Sequence, residues 1–366
     1  MAKFKKAISV DVGTFAVKAL QISKSGDSFQ IEKSSLAQIN QDDYAQDPEL
    51  AQTSATAAAL EGFATKNTFM IGALPGQSVV IRYPRLPQMP EDELQAAIET
   101  EAGQSIPYDL EEVTLDSLVL DTVAEGGENL QRVLLVAAKN EVIESRMRIF
   151  DDSGIEPYVF SVDSLAVADA AEFERQFEGV HSVALVNLGA NTTNIHFCKD
   201  GISNFIRDIS WGGQELTTAI QRALRVVYEE AEQMKKDFAE ADIAPPDEAP
   251  AASPALEPDG GAGAATLEEA VQPIIARLVG EVRRSFEYYE QQLYESPVEK
   301  VILTGGVAAF PLVAHSFIQS LGIDNVVVAS PATGFTLSGE AAAVFNENPA
   351  QFAVAVGLAV RGTQEL

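Results

Sequence analysis

Twice in this chain an apolar strand runs into a short turn that mixes glycine with hydroxyl or amide side chains, and two more strands follow. The first turn is Asp11, Val12, Gly13 and Thr14, after the apolar run 7–10. The second covers residues 187–194, after the run 183–188. Glycine lets the backbone turn tightly and approach a phosphate oxygen closely. Successive backbone N–H groups in such turns bind anions. A third glycine site, Gly305 and Gly306, follows the apolar strand 298–303. Any one of these is also an ordinary turn. All three at strand ends, in this order, point to a nucleotide with its phosphates clamped by two hairpins and its base lying against Gly305 and Gly306.

The remaining pattern alternates strands and helices, which predicts an α/β protein with duplicated halves. Strands at 17–22 and 29–39 complete the first unit, and strands at 195–199 and 204–209 complete the second. From Gly76 the pattern changes. A strand at 78–83 is followed by a helix after Pro90, with Leu94, Ala97, Ile98 and Ala102 on one face. Two strands, 114–121 and 133–138, and a helix over 141–152 follow. This predicts a strand-helix-strand-strand α+β subdomain inserted over 76–153. Residues 1–75 and 154–186 then form the first half. Residues 187–213 and 298–366 form the second half, with a mostly helical insertion at 214–297. Within it, 214–238 reads as one helical stretch, and 239–265, rich in Ala, Pro, Asp, Glu and Gly, reads as an acidic loop without order. Val271, Ile275, Leu278, Val282, Phe286, Tyr289 and Leu293 recur at helical spacing and predict a core-facing helix.

Composition narrows the partners. The net charge of −29 opposes nucleic acid and anionic lipid surfaces. It does not oppose a nucleotide, because a phosphate turn works through local N–H groups. No apolar stretch approaches the roughly 20 residues that span a bilayer, and the first residues lack a signal-peptide pattern. A cytoplasmic protein without direct membrane insertion is expected. The single cysteine, Cys198, excludes an internal disulfide. His181, His196 and His315 lack zinc-ligand spacing, and the alternation of His196 with Cys198 reads as packing on a strand.

Asp11 is placed to hold Mg2+ through water. Thr14 offers a hydroxyl and an N–H, and Lys18 on the returning strand can reach back toward the β- and γ-phosphates. On the residues alone, Glu232 and Lys235 are an exposed charge pair on a helix.

The order of two phosphate hairpins and a Gly-Gly adenosine loop resembles the actin/Hsp70/sugar-kinase superfamily, whose fold is a duplicated ribonuclease H-like unit. More narrowly, the chain resembles the PilM family of type IV pilus assembly proteins, relatives of FtsA and MreB. The resemblance is carried by residues 10–18, 86–94 with Ile106 and Pro107, 133–139, 187–194, 207–213 and 302–306. It implies ATP and Mg2+ as ligands. Asp11, Gly13, Thr14 and Lys18 match the first phosphate motif, and Gly189, Thr192 and Thr193 the second. Glu232 would accept from ribose hydroxyls, Lys235 would pack on the base, and Gly305 and Gly306 would form the adenosine loop. Asp163 falls where relatives carry an acid that orients water. Relatives usually have an aspartate where this chain has Asn187, and a neutral amide holds a hard cation less well. Magnesium would then be held through water by Asp11 and Asn187, with slow or absent hydrolysis. The resemblance also implies an adaptor that captures the cytoplasmic tail of a PilN-like inner-membrane protein, in a groove between the first half and the 76–153 subdomain. It would sit peripheral to that membrane through its partners. Pilus motor ATPases are further candidates, and homo-oligomerisation is left open. Two other readings stand beside it. A small-molecule kinase needs a base near the γ-phosphate, for which Asp163 is the candidate. An FtsA-like filament protein calls for a C-terminal amphipathic membrane helix, which residues 360–366 do not predict.

Overall fold

The structure, a computed structural model, describes residues 4–25, 28–241, 266–331 and 333–364. The acidic stretch expected at 239–265 lies outside the described residues from 242 onward; residues up to 241 are helical. The first half opens with three antiparallel strands, β1 (Lys6–Val12), β2 (Ala16–Ser25) and β3 (Ser28–Gln38). Two helices follow, α1 (Gln41–Gln46) and α2 (Pro48–Ala59), capped by the Asn40 and Asp47 side chains. Each such cap is worth about 1 kcal/mol. β4 (Thr68–Leu74) then pairs parallel with β1. Strand β1 is almost entirely buried, because it lies mid-sheet with both faces covered.

The inserted subdomain holds β5 (Val79–Arg82), β6 (Arg85–Pro87), α3 (Glu91–Ser105), β7 (Val113–Glu125) and β8 (Glu128–Lys139). Strand β6 is one more than the sequence pattern predicts; it is three residues long and too short to show alternation. α3 covers the sheet with Leu94, Ile98 and Ala102, as its periodicity requires. The next helix, α4 (Asn140–Asp152), leaves this subdomain: Ile149 and Phe150 pack in the core of the first half. β9 (Val159–Val162) joins β4, and α5 (Asp163–Phe173) follows. The subdomain also touches the second half. Tyr83 Oη lies 2.7 Å from Ser203 Oγ, and the Arg132 guanidinium donates to Asn204.

The second half repeats the design with β10 (Ser182–Leu188), β11 (Thr193–Lys199) and β12 (Ile202–Ile209) antiparallel. The helical stretch expected over 214–238 is two helices, α6 (Gly213–Leu224) and α7 (Tyr228–Ala241). The break is Arg225, whose left-handed φ of 57° ends the first helix. α8 (Leu267–Glu287) starts on a Thr266–Glu269 capping box and buries the predicted apolar stripe from Val271 to Phe286; Tyr289 and Leu293 continue it in and just after the π-helical turn Tyr288–Gln292. β13 (Lys300–Thr304) pairs parallel with β10, α9 (Pro311–Leu321) follows, and β14 (Val326–Val328) adds the edge.

The sheet orders make the duplication explicit. The second sheet runs β12-β11-β10-β13-β14, and the first contains the matching run β3-β2-β1-β4-β9. The C-terminal residues do not stay with the second half, as the span 298–366 supposes. β15 (Thr336–Leu337) pairs with β3, and α10 (Gly339–Glu347) and α11 (Ala353–Thr363) pack on the first sheet. α5 and α11 lie in a core that also takes Val183, Leu185, Cys198 and Ile302 from the second sheet, so the halves share a spine. Cys198 and His196 are buried as packing residues, and among the described residues no His, Cys, Asp or Glu cluster is built for a metal.

Candidate functional site

The two hairpins are built alike. Gly13 N–H donates to Ala16 O at 3.2 Å, and Gly189 N–H donates to Thr192 O at 3.0 Å. A Cβ on Gly13 would meet Ala16 O at 2.9 Å, and one on Gly189 would meet Thr192 O at 2.8 Å. Neither glycine position has room for a side chain, so each turn presents bare backbone there. β1 and β10 aim these turns at one another across a cleft of about 570 Å³.

Asp11, Gly13, Thr14, Lys18, Asp163, Asn187, Gly189, Thr192, Glu232, Lys235, Gly305 and Gly306 all line this cleft. Thr193 does not. It is fully buried, and its hydroxyl donates to Trp211 O at 3.0 Å, which ties β11 to the start of α6. Alternation along β11 turns its side chain away from the cleft.

Asp11 and Lys18 face each other in the β1–β2 register and form an ion pair of 2.9 Å. Asp163, at the start of α5, accepts the Gly76 N–H at 2.9 Å and the Ser164 N–H at 2.6 Å. Loss of water around it raises its pKa to about 7, helped by the negative fields of Asp208 and Asp11 and opposed by those two N–H groups. Asn187, Asn194 and Asp208 share one cross-strand row, and Asn194 Nδ2 donates to Asp208 Oδ1 at 2.7 Å. Glu232 and Lys235 are not the exposed pair that helix spacing alone describes. Their side chains are only 12% and 15% exposed, 2.7 Å apart, and both bond the Thr217 hydroxyl of α6. α7 folds back over α6 and carries them into the cleft.

A family model described as Type IV pilus assembly protein PilM matches residues 9–241 and 259–363. The chain belongs to the PilM family. A solved PilM-PilN type IV pilus biogenesis complex is similar with a TM-score of 0.77 and 23% identity, over 97% of this chain and 98% of that one. The ethanolamine utilization protein EutJ of Carboxydothermus hydrogenoformans follows at a TM-score of 0.53 and 15% identity, over 97% and 89%. Cell division protein FtsA of Bacillus subtilis (strain 168) is 26% identical over 247 residues, 63% of this chain and 54% of FtsA. The match spans about half the length of that relative. The fold is the actin-like α/β fold, as the resemblance implies.

Within this PilM family chain the cleft also contains residues to which the motifs assign no role. Gln52 Nε2 donates to Gly13 O at 2.7 Å and steadies the first hairpin. Gln214, at the start of α6, donates to Gln41 Oε1 at 3.3 Å, a contact between the halves across the cleft. Asp208 and Asn194 arrive through strand register. Arg146 comes from α4, where it shares the inward face with Ile149 and Phe150. A basic residue on an otherwise apolar helix face was the one signal in the sequence that could have found it. Burial works against its charge, and Asp11, Asp163 and Tyr44 work to keep it.

Proposed function

We propose that this chain is an ATP- and Mg2+-binding adaptor of type IV pilus assembly that captures the cytoplasmic tail of a PilN-like inner-membrane protein. One observation carries the reading: in a PilM family chain, both hairpins, the Gly305-Gly306 loop and the Glu232–Lys235 pair open on a single cleft. The turns at Gly13 and Gly189 suit phosphate oxygens, since each glycine closes its hairpin onto Ala16 O or Thr192 O and leaves the backbone open to close approach. Lys18 exchanges part of its pairing with Asp11 for phosphate. Glu232 is held by Lys235 and Thr217 with its carboxylate at the cleft wall, suited to ribose hydroxyls. Gly306 leaves open space for a flat base. A magnesium ion bound here supplies charge neutralisation at the phosphates. Asp11, and Asn187 more weakly, would hold it through water; a cation that keeps most of its hydration needs no dense carboxylate cage.

The likeness to a PilM-PilN complex over nearly the whole of both chains supports the partner. The groove between the first half and the subdomain of β5 to β8 is the proposed seat of the tail. Nucleotide that bridges the hairpins biases the angle between halves and so the groove. Among the described residues no helix is long and apolar enough to cross a membrane; the proposed attachment to the membrane, from the cytoplasmic side, runs through the partner. Isothermal titration of a PilN tail peptide, with and without ATP, tests the reading. Binding that changes with nucleotide is expected. Absence of binding in both states removes the adaptor function.

A further inference from the structure

Helix α4 carries two arginines two residues apart, and they are treated in opposite ways. Arg148 points outward and is satisfied. Its Nε and one terminal nitrogen reach Glu49 Oε1 and Oε2 at 2.7 and 3.0 Å, a bidentate pair that holds the Glu49 carboxyl down at about pKa 2. Arg146 points inward, is 6% exposed, and forms part of the cleft wall. A guanidinium has five N–H donors and keeps its charge in proteins. The one hydrogen bond it makes among the described residues runs from a terminal nitrogen to Val12 O at 3.3 Å.

The nearby acids are already committed. Asp11 pairs with Lys18 at 2.9 Å, and Asp163 accepts two backbone N–H groups. They act on Arg146 through space, without a salt bridge among the described residues. A buried charge without hydrogen-bonded partners is costly. A cation left with a single 3.3 Å hydrogen bond at the wall of a cleft is poised for an anion that arrives from outside.

We infer that Arg146 is the terminal-phosphate reader of this cleft: its free N–H donors bind an oxygen of the last phosphate of a nucleoside triphosphate. The inference rests on the nucleotide reading above and adds a residue and a discrimination to it. Its position selects the terminal phosphate. Arg146 stands beside Asp11 and Asp163, while Glu232, Lys235 and Gly306, suited to ribose and base, belong to the second half. Arg146 is also tied to the inserted subdomain, because α4 begins at the residue after β8 ends. A triphosphate that draws the guanidinium pulls on the strand leading to the groove, and a diphosphate does not.

Fluorescent ATP and ADP analogues titrated against the full chain, with Mg2+, test this. The parent is expected to prefer the triphosphate. Arg146→Gln should lose about ten- to a hundredfold of triphosphate affinity, the scale of charge-assisted hydrogen bonds, and keep diphosphate affinity. Arg146→Lys, with a charge but no planar fork, should fall between. An Arg146→Gln protein with the parent's ratio of the two affinities overturns the inference, as does a parent that binds both equally. If Arg146→Gln does not melt like the parent, Arg146→Lys carries the measurement, and an unchanged ratio there overturns it equally. A parent that binds neither nucleotide refutes the nucleotide reading itself, and is seen before any variant is made.

Discussion

Asp163 Oδ1 accepts the backbone N–H of Gly76 at 2.9 Å, across 87 residues of chain. Gly76 stands at the entrance to the inserted subdomain, and Asp163 opens α5 at the wall of the cleft. The bond ties the cleft side of the first half to the root of the proposed partner groove.

That bond has a pH signature. The folded pKa of Asp163 is raised from 3.8 to about 7 by desolvation first. The folded protein therefore keeps a proton that the unfolded chain releases. The stability this contributes is fully present below about pH 4 and is lost as pH rises to about 7. Asp163→Asn keeps an Oδ1 acceptor for Gly76 and carries no charge. Its Tm, measured without nucleotide, should exceed the parent's by a few degrees at pH 8, on the order of one or two kcal/mol. The gain should vanish near pH 4. An equal difference at both pH values would refute the assignment.

The glycine pair separates backbone strain from ligand space. Gly305 has φ of 88°, and a Cβ there would lie 2.4 Å from Leu188 O. Gly305→Ala should lose about 1–3 kcal/mol in urea unfolding. Gly306→Ala meets open space. It should leave stability nearly unchanged and weaken adenine nucleotide binding, if the base lies against that backbone. Equal stability losses at both positions would contradict the geometry.

The Glu232–Lys235 pair should be coupled. Lys235→Met leaves the Glu232 carboxylate in a half-buried place with the Thr217 hydroxyl as its remaining hydrogen bond. A fully buried pair broken this way costs about 3–5 kcal/mol, and the residual exposure lowers the expectation to about 2 kcal/mol. Glu232→Gln with Lys235→Met should recover part of the loss in denaturant titrations. Strictly additive losses would mean that the two side chains do not interact.

Asn187→Asp adds a carboxylate beside the second hairpin, opposite the side that holds Asp11. Steady-state phosphate release should rise in this variant if the parent's amide limits magnesium and water placement. Unchanged turnover with unchanged ATP affinity would show that the amide is not the limiting difference.

Several of these residues were legible in the chain, and several were not. The hairpins at Gly13 and Gly189 were readable because a strand, a glycine turn and a returning strand fit within a few residues. The α8 stripe was readable because helical spacing is local. The break at Arg225 is not legible in the sequence, since a non-glycine residue in left-handed conformation leaves no compositional mark. The return of α10 and α11 to the first sheet is not legible either, because chain order does not say which neighbour buries an apolar helix.

By itself, then, the sequence determined that two glycine turns exist and that each ends an apolar strand, since glycine sterics and strand alternation act over a few residues. Only the tertiary structure decided that the turns oppose each other. It also brought Asp208 into the row of Asn187 by register, buried Lys235 against α6, and left Arg146 at the cleft wall with donors to spare. Those outcomes depend on distances between residues far apart in the chain, which burial and strand pairing set together and local propensity cannot encode.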